Sequence, residues 1–539
     1  MGLGRNTLQY NCRSDMDRIN TAAVIIVLVM AFILPSCASK EKPPVTTQQF
    51  VDYNQITREA DELYSRGNYV CLKQAYQLYD KALAIPVFSK KTTEKRLKTA
   101  ILLGLREREL GILEETWFPE AERILAAAPY LEHFSMLLKI AEAIPRKTVG
   151  VVGDFVEDGD RVIVSYDDLK SNLADWTNFL KQKSEVEDIY AYLKIGFFST
   201  FSYLVKEEID AESIEQEYPD SPLIRFKLAI LPAVDPSSLE KLIQDDPLFF
   251  EAFFFIGQDS IKRGMLVTAE KNFLKAYQEI PESCSLVISL ASIYFAFEEL
   301  KTSLEFYEKT LAMAPAHRDA LLGKAMCLSY LGKYQEAIAV CNHIISLGKY
   351  YLGESHYWLA WNLNELEDWD SAWEKIEKAK YYLSGHAEVS FLAGLIAFYQ
   401  NRLDEAGKNL QEAHKQDDSN GDPAFYLGKI KNIQQDWLNA GAYFESASRR
   451  YEIREQIIQK RIEEIKDSNF SEERKKNHLA RKTNQLRKIQ LTRATSWYNA
   501  AADFYNAGFP DKARQLAEKA SSHHALKEKA QELLTLMKK

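Results

Sequence analysis

The chain has 539 residues, of which 46% are hydrophobic and 12% aromatic, and its formal net charge is -9 at pH 7. This composition supplies ample apolar material for a folded core, and the negative charge argues against a nucleic-acid-binding surface. Six cysteines are too few and too scattered in a chain of this length for a disulfide framework.

A short apolar run near the N-terminus predicts where the protein resides. The 13 residues from Ala22 to Leu34 are too few to cross a bilayer comfortably, which takes roughly 20, but they suit the core of a signal peptide. The sequence Leu34-Pro35-Ser36-Cys37 that follows resembles a bacterial lipobox. This resemblance implies that residues 1–36 are a lipoprotein signal peptide and that Cys37 carries the lipid, with palmitate among its acyl chains. A cleaved signal without lipid, an uncleaved anchor and a later start at Met16 stay open as alternatives.

A tether and a weakly repetitive region follow. Residues 37–48 are polar and contain Pro43 and Pro44, which favours an extended linker that holds the folded part away from a membrane. In residues 49–147, small and aromatic side chains recur less regularly than they do farther along the chain. End units of a repeat array are commonly degenerate, so this stretch is predicted to form repeat-like helices.

Residues 148–249 are predicted to form an irregular helical region with one β-hairpin near 149–166. Two β-branched runs flank Glu157-Asp158-Gly159-Asp160, and Asp-Gly between such runs is a strong hairpin signal. The acidic residues between the runs raise the alternative of a calcium loop. Their spacing lacks the closing Glu that an EF-hand requires, so no metal site is predicted.

A small side chain returns at a nearly constant interval in the second half of the chain. The intervals are 34 or 35 residues, and the positions are Ala269, Ser303, Ala337, Ala372, Ala406 and Ala440. Twelve residues before each stands a second small residue, and four residues after each stands a bulky one, as in Gly257 and Phe273 of the first unit. A fixed period of this length is typical of a solenoid, in which each unit buries its apolar face against its neighbours.

This pattern resembles the tetratricopeptide repeat (TPR). That family has a small residue at repeat position 8, Ala at 20, a large apolar residue at 24, Ala at 27 and often Pro at 32. The unit that begins at Phe250 supplies all five, as Gly257, Ala269, Phe273, Ala276 and Pro281. The resemblance implies an all-α fold, a right-handed TPR-type α-solenoid of helix-turn-helix repeats, with six units in residues 250–454.

Residues 449–493 interrupt the repeats with a basic segment. It holds 14 Lys and Arg against 7 Asp and Glu, with apolar residues at helical spacing and Ser471 placed as an N-cap. We predict a long helical hairpin, with its basic part in residues 455–493, that projects from the solenoid and docks an acidic partner or anionic lipid head groups. A solvated hairpin without a partner is the alternative. Residues 494–539 are predicted to form a final TPR and a capping helix.

The TPR resemblance also predicts a binding surface. In that family the first helix of each repeat lines the concave face, and here those positions carry many aromatic residues. The partner-binding groove is therefore predicted to contain Phe254, Phe295, Tyr330, Tyr357, Trp361, Phe391, Phe398, Tyr399 and Phe425. Aromatic anchors supply a large contact area at low entropic cost, so a hydrophobic segment of a partner is the expected ligand. The alternative is that the N-terminal region or the basic hairpin fills the groove.

No motif for metal-dependent, serine-hydrolase or phosphate-binding catalysis is present, so neither an enzyme activity nor a cofactor is expected. The favoured function is a membrane-anchored TPR scaffold lipoprotein on the periplasmic side of the bacterial cell envelope, which binds a protein or peptide partner. The first alternative is a periplasmic, transporter-associated accessory that binds a small apolar ligand. An enzyme on a repeat scaffold is the second, and it would require a cluster of titratable residues in the N-terminal region.

Overall fold

The computed structural model describes residues 45–87, 89–145, 166–183, 187–206, 209–231, 237–348 and 350–537. In these residues the fold is all-α, which confirms the predicted fold class. The predicted signal peptide, the lipidation site Cys37 and residues 149–165 of the predicted β-hairpin lie outside the described residues.

The N-terminal region consists of ten α-helices and one 3-10 turn among the described residues. They are α1 (Thr47–Arg66), α2 (Tyr69–Ala84), α3 (Lys90–Leu110), α4 (Trp117–Ala127), the 3-10 turn (Pro129–Phe134), α5 (Ser135–Ala143), α6 (Tyr166–Lys183), α7 (Asp188–Val205), α8 (Ala211–Glu217), α9 (Pro222–Ala229) and α10 (Ser237–Asp245). Helix α1 begins at a capping box between Thr46 and Gln49 and ends at Gly67, whose φ of 67° is left-handed. Local capping therefore explains both ends of this helix.

Helix α3 is the centre of the N-terminal region, because every residue from 97 to 110 is buried. Its charged side chains are buried with partners from other helices: Glu109 accepts a hydrogen bond from Lys227 and from the Tyr192 hydroxyl. The Arg106 guanidinium lies 3.7 Å from the ring centroid of Phe226. These partners come from α7 and α9, so the network holds three helices in one arrangement.

Six helix pairs follow, and we number them repeats 1 to 6. They are α11–α12 (Phe250–Lys262, Leu266–Glu279), α13–α14 (Cys284–Ala296, Leu300–Met313), α15–α16 (Arg318–Tyr330, Tyr334–Leu347), α17–α18 (Leu352–Glu365, Trp369–Tyr382), α19–α20 (Ala387–Tyr399, Leu403–Gln416) and α21–α22 (Asp422–Ile433, Trp437–Asp467). A Cβ atom at Gly257 would lie 2.5 Å from the Phe273 ring, so the small residue of α11 makes room for the bulky residue of α12. The periodic sequence pattern is thus the pattern of contact between paired helices.

The basic segment forms the predicted hairpin of two long helices, α22 (Trp437–Asp467) and α23 (Glu472–Asn506). Ser471 caps α23 as predicted, because its hydroxyl accepts a hydrogen bond from the Arg474 backbone N–H. The tip of this hairpin, residues 468–482, packs against repeats 1 and 2, so the prediction that the hairpin projects from the solenoid is wrong for the tip. The physical reason is charge: basic tip residues meet Glu270, Glu298 and Glu299.

The array ends with one further helix pair and a terminal helix. The C-terminal half of α23 packs with α24 (Pro510–Ser521), and α25 (Lys527–Leu536) covers the end of that pair. Ala501 and Ala517 are fully buried where these helices meet, next to Leu533 of α25. We call α24 and the C-terminal half of α23 the terminal repeat.

Candidate functional site

The first part of the predicted groove is closed by the protein itself. Helix α3 ends against repeat 2, where the Gly111 carbonyl accepts a hydrogen bond from the Cys284 N–H at 3.1 Å. Residues 284–291 of α13 are all buried as a result. Phe254, predicted as a groove residue, is only 1% exposed and packs on Phe273 within the same core as α3, so that prediction is wrong. The N-terminal region thus fills the groove over repeat 1 and the first two turns of α13 in repeat 2.

From the C-terminal end of α13 in repeat 2 onward, aromatic side chains from successive first helices form a continuous row, which we call the first aromatic cluster. The ring centroids of Phe295 and Tyr330 lie 6.1 Å apart, and those of Tyr330 and Trp361 also lie 6.1 Å apart. Tyr330 is 54% exposed, while Phe295, Tyr357 and Trp361 are partly buried. Three repeats therefore present one aromatic surface with an accessible centre.

A second aromatic cluster lies over repeats 5 and 6 and contains Phe391, Phe398, Tyr399 and Phe425. Its centre is Tyr426. This residue was not predicted as part of the groove, because it comes one position after Phe425, which occupies the concave position of the repeat. The Tyr426 ring lies 5.2 Å from that of Phe398, and its hydroxyl is 3.3 Å from the Tyr399 hydroxyl. Tyr399 is 43% exposed and stacks on Trp369.

One cation lies within the second cluster. The Lys429 ammonium is 4.8 Å from the ring centroid of Tyr426 and 5.2 Å from that of Phe425. Burial lowers the pKa of Lys429. Among the described residues, no carboxylate forms an ion pair with Lys429, and the neighbouring Asn432 already donates to Asp503 at 2.6 Å. Within the described part of the chain, the close partners of this half-buried positive charge are aromatic rings.

One cluster of titratable residues in the N-terminal region is closed to solvent. Arg106 is fully buried, and Glu109 and Lys227 are each less than a tenth exposed. Burial alone would raise the pKa of Glu109, yet the charges of Lys227 and Arg106 outweigh it and lower that pKa. The arrangement joins helices and leaves no room for a substrate between these groups.

The described part of the chain contains neither a candidate metal site nor a helix that could span a membrane. No group of three or more His, Cys, Asp or Glu side chains there is placed to hold a metal ion. No helix there is both long enough and apolar enough to cross a membrane.

Comparison with known proteins gives distant similarity. No family model matches the chain. Human protein O-mannosyl-transferase TMTC1 is 26% identical over 183 residues, which are 33% of this chain and 20% of TMTC1, so the chain spans about a fifth of that protein's length.

Solved structures with similar repeats include PilF of Pseudomonas aeruginosa, at 18% identity over 37% of this chain and 90% of PilF, with a TM-score of 0.34. A tetratricopeptide repeat protein from Parabacteroides merdae is 17% identical over 54% of this chain and 99% of its own, with a TM-score of 0.31. YrrB, described as a TPR protein with an unusual peptide-binding site, is 23% identical over 33% of this chain and 91% of its own, with a TM-score of 0.28. These scores are low, so the TPR-type assignment rests on the spacing and pairing of the helices themselves.

Proposed function

We propose that this protein is a TPR scaffold that binds a segment of a protein partner along the open part of its groove, from the end of α13 in repeat 2 to repeat 6. The observation that carries the proposal is the pair of aromatic clusters on successive first helices, with accessible rings at Tyr330 and Tyr399. Exposed apolar surface that continues over several elements is costly in water and commonly marks an interaction site. Aromatic side chains are also the residues that most often carry the binding energy of such sites.

The chemistry of the partner segment follows from the two clusters. Apolar side chains would cover the rings of Tyr330 and Trp361 in the first cluster and those of Phe398 and Tyr399 in the second. An acidic side chain or a terminal carboxylate would pair with Lys429, whose charge is partly desolvated and has no acidic partner among the described residues. The expected ligand is therefore a segment that combines apolar residues with at least one carboxylate.

The distribution of the clusters favours a segment over a small apolar ligand. The aromatic side chains belong to first helices from α13 to α21, and they are not gathered around one cavity. A small ligand would contact one cluster, whereas a segment would contact both. Substitutions in the two clusters therefore separate these functions.

Anchoring to the bacterial cell envelope through a lipid on Cys37 is part of the same proposal. Its support is the lipobox-like sequence Leu34-Pro35-Ser36-Cys37 behind a short apolar run. Metabolic labelling with an alkyne-bearing palmitate analogue tests it. We expect the label on the natural chain and none on Cys37→Ala, while equal labelling of both would contradict lipidation at this residue.

Site-specific photo-crosslinking tests the groove. A photoreactive phenylalanine analogue replaces Tyr330 or Tyr399 in cells, and the matched control replaces Tyr381, which is 79% exposed on the second helix of repeat 4. We expect both groove positions to crosslink to the same partner, and the crosslink to disappear with Lys429→Glu. Equal crosslinking from Tyr381, or a crosslink that is insensitive to Lys429→Glu, would contradict the proposal.

A further inference from the structure

The tip of the basic hairpin makes a charged contact with the beginning of the repeat array. The Arg474 guanidinium donates to Glu270 through Nη1 and to Glu299 through Nε, each at 2.6 Å. His478 Nε2 lies 2.8 Å from the same Glu299 carboxylate. Lys482 pairs with Glu298, so three tip residues meet three acidic residues of repeats 1 and 2.

Aromatic contacts surround these ion pairs. The Phe470 ring packs edge-to-face on Phe297, with ring centroids 5.1 Å apart, and it also stacks on His478. The Arg474 guanidinium lies 4.6 Å from the Phe470 centroid and 4.7 Å from that of Phe297. The tip therefore packs against the turn between the two helices of repeat 2 through specific contacts.

This contact differs from the others that hold a repeat array. In such arrays each unit contacts its neighbours, and curvature follows from small rotations between units. Here, Arg474 contacts residues that precede it by 204 and 175 positions. The hairpin helices are continuous with repeat 6 and with the terminal repeat, so the contact joins the two ends of the array.

We propose that the hairpin tip, residues 468–482, is a clasp that can open and close. When closed, it joins repeats 1 and 2 to repeat 6 and the terminal repeat, and so fixes the curvature of the array. The clasp itself does not depend on the function of the groove. Its effect on binding rests on the proposed function, because the two aromatic clusters extend from repeat 2 to repeat 6, the same span of the array that the clasp joins end to end. If a partner binds one curvature of the array more tightly than another, its affinity depends on whether the clasp is closed or open.

The composition of the contact explains why it can open. The Arg474 and Glu299 side chains are each 20% exposed, so salt can reach and screen the pair. Burial alone would raise the pKa of Glu299, but hydrogen bonds from Arg474 and His478 outweigh it and lower that pKa, which keeps the carboxylate ionised. The buried apolar core that contains repeats 1 and 2 includes no residue of the hairpin.

Electron spin resonance distance measurement on the full chain tests the clasp. Spin labels are attached through genetically encoded azide residues at exposed positions, Glu305 on repeat 2 and Lys476 near the tip, which leaves the native cysteines untouched. We expect one short distance for the natural chain and loss of that distance in Arg474→Glu. Adding Glu270→Lys and Glu299→Lys to Arg474→Glu should restore it, because the charges are then exchanged.

The matched control is Arg461→Glu, which makes the same charge change on the same hairpin. Arg461 is 67% exposed, and its ion pair is with Glu464 of its own helix, so we expect the short distance to persist. In the natural chain, 1 M NaCl should reduce the population with the short distance. The proposal is overturned if Arg474→Glu leaves the distance unchanged while circular dichroism shows intact helices, or if Arg461→Glu has an equal effect.

The coupling to the groove is tested separately, so that the two proposals fail independently. A second pair of labels, at exposed Tyr330 and Tyr399, reports the distance between the aromatic clusters without any partner. We expect that distribution to broaden in Arg474→Glu and to narrow again when the charges are exchanged. An unchanged distribution, with the clasp shown to open, would overturn the coupling and leave the groove as a binding site intact.

Discussion

Asp503 provides a quantitative test of the packing at the terminal repeat. This residue of α23 is 1% exposed, and its Oδ1 accepts a hydrogen bond from Asn432 at 2.6 Å. Its Oδ2 has no hydrogen-bond partner among the described residues. Burial raises the pKa of Asp503 to about 6, against an ordinary value of 3.8, and the bond from Asn432 opposes the shift only in part.

The direction of the effect on stability follows from linkage. An acid with a raised pKa in the folded state ionises more readily when unfolded, so it lowers the free energy of unfolding as the pH rises from about 4 to about 6. At 1.36 kcal/mol per pKa unit, two units correspond to a cost of about 3 kcal/mol above pH 6. Asp503→Asn removes the charge, so we expect it to raise the free energy of unfolding at pH 7.5 by up to that amount and to change it little at pH 4.

Urea unfolding followed by circular dichroism at pH 4 and pH 7.5 measures this difference. The matched control is Asp511→Asn, an acid on the neighbouring helix α24 whose side chain is 92% exposed, which should give the same result at both pH values. The reasoning is refuted if Asp503→Asn shifts the free energy of unfolding equally at both pH values, or if it destabilises the protein at pH 7.5.

Two other substitutions test the contacts that define the fold, each by urea unfolding. A Cβ at Gly428 would lie 2.9 Å from the Phe444 ring, so Gly428→Ala should lower the free energy of unfolding by about 1 to 3 kcal/mol. The control is Gly407→Ala, whose Cβ would meet no atom within 4 Å, so it should leave the free energy of unfolding unchanged or raise it. Glu109→Gln removes the carboxylate that pairs with buried Lys227, so we expect it to lower the free energy of unfolding by about 3 kcal/mol. An unchanged free energy of unfolding would show that this network does not hold the N-terminal region together.

The sequence predicted what depends on local spacing. Small and bulky residues a fixed distance apart touch across one helix pair, as Gly257 and Phe273 do, so their recurrence was sufficient to predict helix-turn-helix repeats. The N-cap at Ser471 was equally accessible, because capping involves only the next few residues. Elements whose partners lie within one or two turns are therefore visible in a single sequence.

Contacts between distant parts of the chain leave no comparable spacing pattern in the sequence. Nothing periodic connects Arg474 with Glu270, and the excess of basic residues in the hairpin was compatible both with an acidic partner and with a solvated hairpin. Phe254 belongs to the same buried core as α3, which lies in a region where the repeats are degenerate. Lys429 lies among the predicted groove positions of repeat 6, but that its close partners among the described residues are aromatic rings and not carboxylates becomes evident only in the folded arrangement.

Binding of a partner segment by both aromatic clusters is tested most directly by the affinity of the groove for the segment that the crosslinks identify. A synthetic peptide of that segment is titrated calorimetrically into the full chain, Trp361→Ala, Phe398→Ala and the control Tyr382→Ala, whose ring is 49% exposed on a second helix. We predict that each groove variant weakens binding about 30-fold, which is a loss of about 2 kcal/mol, and that the control does not. Undiminished affinity in both groove variants would contradict the account, and loss in only one would indicate a ligand confined to a single cluster.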